Sequence, residues 1–184
     1  MTSRVRTAIV ALLTLAYPFA VYWGLGRFEP RWLALLLVML ALLRAATRRE
    51  PVWIAAAAGA LVLAAVSMAG NAVLPLKLYP VLVSTALLLV FGISLWHPPS
   101  IIERLARLRE PQLPPSAVAY TRKVTLVWCT FFVVNGSIAL ATALWAPDAV
   151  WALYNGLLSY LLMGLLFAGE WLVRQRVRAR QAHV

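Results

Sequence analysis

Residues 122–145 read RKVTLVWCTFFVVNGSIALATALW, and after Lys123 this run carries no charge as far as Trp145. A helix needs about 20 mostly apolar residues to cross the roughly 30 Å hydrocarbon core of a bilayer. The run is also continuous, without the alternation of polar and apolar residues that marks a strand of a membrane barrel. This stretch therefore predicts a transmembrane helix.

The composition of the whole chain agrees with a membrane protein. Of its 184 residues, 63% are hydrophobic and only 12% are charged, which is about half the charged share of an ordinary globular domain. So few polar residues do not cover a water-exposed surface. The net charge of +11 does not indicate nucleic acid binding, because the basic residues lie between apolar runs and form no stripe along one face. We therefore expect no nucleic acid partner.

The chain contains six apolar stretches that are long enough, or nearly so, to cross a membrane. They cover residues 7–24, 31–47, 51–70, 78–97, 122–145 and 149–173. The second is short, but Arg31 and Arg44 at its ends can extend their charged groups outward and lengthen it. We therefore predict one all-α integral membrane domain with six transmembrane helices, followed by a basic tail at residues 174–184.

The basic residues predict the orientation of these spans. Of the 17 basic residues, only Arg27, Arg31 and Lys77 fall on one side of the predicted membrane. Because cytoplasmic loops carry the excess of Lys and Arg, both termini are predicted to lie in the cytoplasm. Tryptophans near the predicted span ends fit an aromatic belt: Trp23, Trp32, Trp53, Trp96, Trp145, Trp151 and Trp171.

The longest connection, residues 98–121, lies on the basic side and begins with a helix signal. Ser100 and Glu103 fit the S-x-x-E capping box, in which each side chain binds a free N–H at the helix start. One helical face is apolar, with Ile101, Ile102, Leu105 and Leu108, and the opposite face is charged, with Glu103, Arg104, Arg107 and Glu110. We predict a short amphipathic helix at residues 100–110 in the cytoplasmic interface, ended by Pro111.

Two interpretations of this helix remain open. It is either an anchored loop whose arginines face anionic lipid headgroups, or a docking surface for a cytoplasmic partner or a lip over a lipid site. The predicted partner or anionic-lipid surface consists of arginines from this helix and from the tail: Arg104, Arg107, Arg109, Arg174, Arg176 and Arg178.

Polar side chains inside the predicted spans are the second group of candidates, because polar groups at membrane depth are costly without a partner. The cleft candidates among those in spans five and six are Asn135, Asn155, Ser159 and Tyr160. Each asparagine is followed by a glycine, which permits close helix approach. The residues predict either interhelical hydrogen bonds or a polar cleft for a lipid headgroup between spans five and six. Glu170 is expected to pair with Arg174 four residues later.

The sequence shows no pattern typical of an enzyme. The six acidic residues are scattered, whereas metal-dependent phosphotransfer needs them clustered. Neither histidine has a carboxylate or nucleophile at plausible spacing, and no Gly-rich phosphate loop is present. We therefore predict no catalytic residue, no metal site and no cofactor. Transport is also disfavoured, since no internal repeat is visible.

Roughly residues 77–173 contain a distinctive series of residues: Pro99 before Ile-Ile-x-Arg-Leu, Leu113-Pro114, Trp128, Phe131, Phe132, Gly136, Pro147 and Trp151. In this order and spacing the series resembles the intracellular septation protein A family of small bacterial inner-membrane proteins. The chain departs from the family pattern at Ala139, where an asparagine is usual, and at Asn155, where a lysine is common.

The resemblance implies a role in envelope biogenesis and division through contacts with other membrane proteins, and it implies no catalytic residues. The leading functional hypothesis is therefore a non-catalytic protein of the bacterial inner membrane that binds membrane-protein partners. The alternative is the binding or transport of a lipid or lipid intermediate by the polar cleft, and an intramembrane enzyme comes third. Self-association through the small residues of the third span is left open, as is their use in internal packing.

Overall fold

The computed structural model of the chain describes residues 3–25, 27–47 and 51–181. Within these ranges the protein is helical and contains no strand. The helices are α1 Ser3–Gly24, α2 Pro30–Thr47, α3 Pro51–Gly70, α4 Leu74–Lys77, α5 Tyr79–Trp96, α6 Ile101–Arg107, α7 Pro115–Trp145, α8 Asp148–Leu153 and α9 Ser159–Gln181. A π-helical segment, Tyr154–Leu158, joins α8 to α9.

Four segments are long and apolar enough to cross a membrane: Trp53–Gly70, Leu74–Trp96, Pro115–Trp145 and Asp148–Arg176. A fifth apolar helix, Pro30–Leu43, is shorter. The predicted class, an all-α protein with several membrane-length helices, is therefore confirmed. The described residues contain four such segments where the sequence predicts six spans.

Several helices differ in length from the predicted spans. The helix bounds of the third span, residues 51–70, are confirmed by α3, whereas α7 begins at Pro115 and not at residue 122. Proline is favoured at the first helical position because its missing N–H is not needed there, so the Pro114-Pro115 pair starts the helix early. The last helix also runs beyond residue 173, through the basic tail to Gln181. Residues 182–184 of the predicted tail lie outside the described part.

The core lies where α1, α2, α3, α4 and α8 meet. Its fully buried large side chains are Tyr17, Leu37, Leu40, Leu76 and Trp151. Ala57, Ala60 and Ala64 of α3 are buried in the same cluster, because small side chains let helix backbones approach closely. These small residues of the third span are therefore used for internal packing.

A second, aromatic cluster joins α5 to α7 beside α9. Trp128 and Phe132 of α7 pack with Phe91 of α5, and Trp128 also packs with Phe167 of α9. The Trp128 and Phe167 ring centroids are 4.5 Å apart, a distance at which tilted aromatic pairs attract. This cluster holds α5 against α7, the helix that carries Asn135.

The tryptophans near the helix ends fall into two groups. Trp23, Trp32, Trp96, Trp145 and Trp171 are exposed, as residues of an aromatic belt are. The assignment of Trp151 to this belt is wrong, because its side chain is 0% exposed. Its indole N–H instead donates to the carbonyl of Lys77 at 3.1 Å, so the ring is a core residue.

Candidate functional site

All four predicted cleft residues, Asn135, Asn155, Ser159 and Tyr160, line one cavity of about 50 Å³. The cavity also has walls from α1 and α5, with Tyr17 and Pro18 on the first and Pro80, Val83 and Ser84 on the second. The cleft was expected between spans five and six alone, so the structure adds two helices to it. The spacing of polar residues within one span does not show which distant helices pack around that span.

Asn135 joins three helical segments through its side-chain amide. Its Nδ2 donates to the hydroxyl of Ser84 on α5 at 3.3 Å, and its Oδ1 accepts from the hydroxyl of Tyr154 at 3.0 Å. The side chain is buried at the edge of the cavity. These two contacts supply the partners that a buried amide requires, as the interhelical interpretation predicts.

Asn155 lies in the π-helical segment, and its side-chain amide bonds to groups of α8 and α7. Its Nδ2 donates to the carbonyl of Trp151 at 2.9 Å and to the hydroxyl of Thr142 at 3.2 Å. Its own carbonyl accepts from the hydroxyl of Ser159 at 3.3 Å. A π-helical turn widens the hydrogen-bonded ring of the helix and often occurs at functional sites. Here it brings the side chain of Asn155 against α7.

The two glycines that follow these asparagines allow the close contacts that the sequence predicts. A Cβ added at Gly136 would lie 3.2 Å from the Cβ of Ser84, and one added at Gly156 would lie 2.7 Å from the ring of Phe19. The second distance is shorter than a van der Waals contact. A side chain at position 156 would therefore displace Phe19 of α1.

The size and lining of the cavity limit what it can bind. No charged side chain lines it, and a volume of about 50 Å³ holds a few water molecules at most. A phospholipid headgroup does not fit in this arrangement of the helices. The cavity can hold water and polarise it through amide and hydroxyl groups.

The second candidate is the arginine-rich end, which we define by the end of α5, the whole of α6, the start of α7 and the end of α9. The Arg122 guanidinium of α7 donates to the carbonyl of Leu95 of α5 at 2.9 Å. The Tyr120 hydroxyl of α7 lies 3.3 Å from a carboxylate oxygen of Glu170 on α9. These contacts bring the predicted arginines of the two regions to one end of the helix bundle.

The predicted helix between spans four and five is present but shorter than expected. It covers Ile101–Arg107, whereas residues 100–110 were expected. The Ser100 hydroxyl accepts from the N–H of Glu103 at 3.4 Å, so this half of the capping box is confirmed. The Glu103 carboxylate pairs with Arg107 instead of the helix start, accepting its Nε at 2.9 Å and its Nη2 at 2.7 Å.

Burial in this helix does not follow the two predicted faces. Glu103 is only 6% exposed, although the sequence places it on the same charged face as Arg104, Arg107 and Glu110, which are exposed. Leu105 and Leu108, by contrast, are 55% and 81% exposed. The ion pair with Arg107 satisfies the Glu103 carboxylate and permits its burial. The described part of the chain leaves the two leucines uncovered.

The six predicted arginines are not equivalent. Arg107 and Arg174 are paired with the nearby carboxylates of Glu103 and Glu170, and the second of these pairs was predicted. Three further arginines, Arg104, Arg109 and Arg176, are exposed and have no carboxylate partner among the described residues. The side chain of Arg178 lies outside the described part.

The opposite end of the bundle contains an ion pair that sequence reasoning missed. The Lys77 ammonium lies 3.1 Å from Oδ1 of Asp148 and 5.9 Å from the centroid of the Trp151 ring. The Lys77 side chain is buried. Its partner is 71 positions away, so no local pattern predicts the pair.

The described residues contain no group of three His, Cys, Asp or Glu side chains that could hold a metal ion. No known protein family, no curated protein and no solved structure matches the chain. The resemblance to the septation family therefore stays a prediction.

Proposed function

We propose that this chain is a non-catalytic, multi-pass protein of the bacterial inner membrane that acts in envelope biogenesis and septation. It works by binding membrane-protein partners and anionic lipid headgroups at its arginine-rich end. The observation that carries this proposal is the exposure of Arg104, Arg109 and Arg176 without carboxylate partners among the described residues. Exposed guanidinium groups at a membrane surface attract acidic partners and anionic headgroups.

The proposed topology has six spans and both termini in the cytoplasm. Beside the four membrane-length segments, α1 has 22 residues and α2 has 18. At 1.5 Å per residue these lengths approach or exceed the roughly 30 Å of hydrocarbon. The excess of basic residues at the arginine-rich end assigns that end to the cytoplasm.

The distribution of the acidic residues supports a non-catalytic role. Glu29, Glu103, Asp148 and Glu170 each pair with an arginine or a lysine. A carboxylate held by a cation is a poor general base, and acid–base catalysis needs such groups placed together in a site. These acids lie in four separate ion pairs.

The alternative function, handling of a lipid intermediate, is favoured by the meeting of the four predicted polar residues around one cavity. It requires the cavity to widen well beyond about 50 Å³. Movement of α9 is the simplest route, because most of the described side chains of this helix are exposed.

The test compares variants at opposite ends of the bundle. Arg104→Gln with Arg109→Gln changes the arginine-rich end, and Arg31→Gln, at the other end and outside the cavities described, is the control. Glutamine is preferred to glutamate because the charge bias that orients the spans is then retained. Each protein is purified from native membranes in a mild detergent, and co-purifying proteins and lipids are identified by mass spectrometry.

We expect a division, wall or envelope-biosynthesis protein to co-purify stoichiometrically with the unchanged chain and with the control. The same protein should be lost from the Arg104→Gln, Arg109→Gln variant. Loss from both variants alike, or the absence of any stoichiometric partner, would contradict the proposal. Enrichment of one lipid species that Asn135→Ala abolishes would instead favour lipid handling.

A further inference from the structure

The end of the bundle opposite the arginine-rich end has an open basin of about 710 Å³. Its lining consists of Tyr22, Trp23, Leu25, Arg27 and Asp148. The basin combines one exposed cation, one carboxylate and two exposed aromatic rings, all at the end of a membrane helix.

Only one oxygen of the Asp148 carboxylate has a partner among the described residues. Lys77 contacts Oδ1 at 3.1 Å, and the Asp148 side chain stays 49% exposed while that of Lys77 is only 9% exposed. Among the described residues Oδ2 carries no hydrogen bond. The buried ammonium fixes the carboxylate in place, and the second oxygen is open to a ligand.

Arg27 is held in place without being neutralised. Its Nη1 donates to the carbonyl of Trp23 at 2.7 Å, and its Cζ lies 4.7 Å from the centroid of the Trp23 ring. No carboxylate of the described residues forms an ion pair with it. Stacking on an indole restricts the guanidinium while its remaining N–H groups stay available to an anion.

We propose that this basin binds the headgroup of an aminophospholipid. The lipid phosphate lies on Arg27, and its primary ammonium donates to the free oxygen of Asp148. Guanidinium groups match phosphate oxygens in a forked geometry, and Trp and Tyr side chains are favoured at headgroup depth. The site is separate from the arginine-rich end on which the proposed function depends.

The two charges distinguish this headgroup from the other common ones. A headgroup that carries only a phosphate places no positive charge at Asp148. A quaternary ammonium carries the charge but has no N–H to donate. Only a primary ammonium supplies both the charge and the hydrogen bond, which together are stronger than a neutral contact.

The test uses the full-length protein, stripped of lipid and reconstituted into vesicles with equal amounts of phosphatidylethanolamine, phosphatidylcholine and phosphatidylglycerol of identical acyl chains. The lipids retained after extraction into detergent are measured by native mass spectrometry. We expect phosphatidylethanolamine to be retained about tenfold over the other two, the factor that one charge-assisted hydrogen bond supplies. Equal retention of the three, or a preference for phosphatidylglycerol, would overturn the proposal.

Variants test the phosphate contact at Arg27 and the ammonium contact at Asp148 separately. Arg27→Gln should lower the retention of all three lipids, whereas Arg31→Gln, on the same connection but outside the basin, should not. Asp148→Asn combined with Lys77→Met removes both members of the pair and so leaves no buried unpaired charge. It should abolish the preference for phosphatidylethanolamine over phosphatidylcholine. Unchanged retention in Arg27→Gln would refute the assignment even if the double variant does not fold.

Discussion

The two halves of the last membrane-length segment, Asp148–Arg176, are packed in opposite ways. In the first half, Trp151, Ala152, Tyr154, Asn155 and Gly156 are all buried. In the second half, Ser159 is the only residue of α9 classed as buried among those whose side chains are described. Of an 18-residue apolar stretch in this segment only 11% is buried, against 28–33% of the corresponding stretches in the other three segments.

The buried first half is therefore a structural region, whereas the exposed second half is open to its surroundings. The first half fills the core beside α1 and joins α7 through hydrogen bonds, so it holds the bundle together. The second half presents leucine and aromatic side chains to the surroundings, with the arginine-rich end at its terminus. Since lipid tails are as apolar as leucine, such a face is available to lipid and to a partner helix alike.

Replacing Trp151 with alanine should produce the largest loss of stability. The side chain is fully buried, and its N–H satisfies the carbonyl of Lys77. The change leaves a cavity in the core and a carbonyl without its donor, for which we expect a loss of about 3–5 kcal/mol in the free energy of unfolding. The measurement is an equilibrium unfolding titration with dodecyl sulfate in mixed micelles.

Trp171→Ala is the matched control, because this tryptophan lies in the second half and is exposed. Its replacement should change stability by less than about 0.5 kcal/mol, the usual range for surface positions. Equal losses in the two variants would contradict the division of the segment into a packed half and an open half.

The sequence predicts the local features of this molecule well. The apolar run and the proline at residue 51 predict the bounds of α3. Asn135 and Asn155 can be singled out because each is polar within an apolar run, and Glu170 and Arg174 because they are four residues apart. Each of these predictions depends on residues close together in the chain.

The features that the sequence does not predict depend on distant contacts. Trp151 lies near a span end, like the belt residues, and only its contact with Lys77 makes it a core residue. The burial of Glu103 depends on how α6 lies against α7, which helical periodicity does not specify. The Lys77–Asp148 pair and the α1 wall of the cavity arise in the same way.

Two glycines of the same segment provide the second comparison. Gly156→Val places a side chain against the ring of Phe19, where even a Cβ would lie at 2.7 Å, and we expect a loss of about 1–3 kcal/mol from overpacking. A Cβ added at Gly164 meets nothing within 4 Å, and Gly164→Val removes a residue of low helix propensity, so stability should be unchanged or slightly higher. Thermal unfolding of both variants in one detergent measures the difference, and similar unfolding temperatures would show that the first half is no more tightly packed than the second.

Asn135→Ala should have the smallest effect. The change removes hydrogen bonds to Ser84 and Tyr154, and interhelical hydrogen bonds in membranes contribute about 0.6 kcal/mol each on average. We therefore expect a loss of about 1 kcal/mol in the dodecyl sulfate titration. Ser137→Ala is the control, because within the described part of the chain that exposed hydroxyl bonds only to Val133 of its own helix. Its replacement should leave stability unchanged.

The result for Asn135 also separates the two uses of the polar cavity. A loss of stability without any change in co-purifying lipid means that the amide serves to hold α5, α7 and the π-helical segment together. Unchanged stability with reduced retention of one lipid class would mean that the hydrogen bonds to Ser84 and Tyr154 are exchanged for bonds to a ligand. The cavity would then open further than about 50 Å³, and the sparsely packed α9 is the wall that can move.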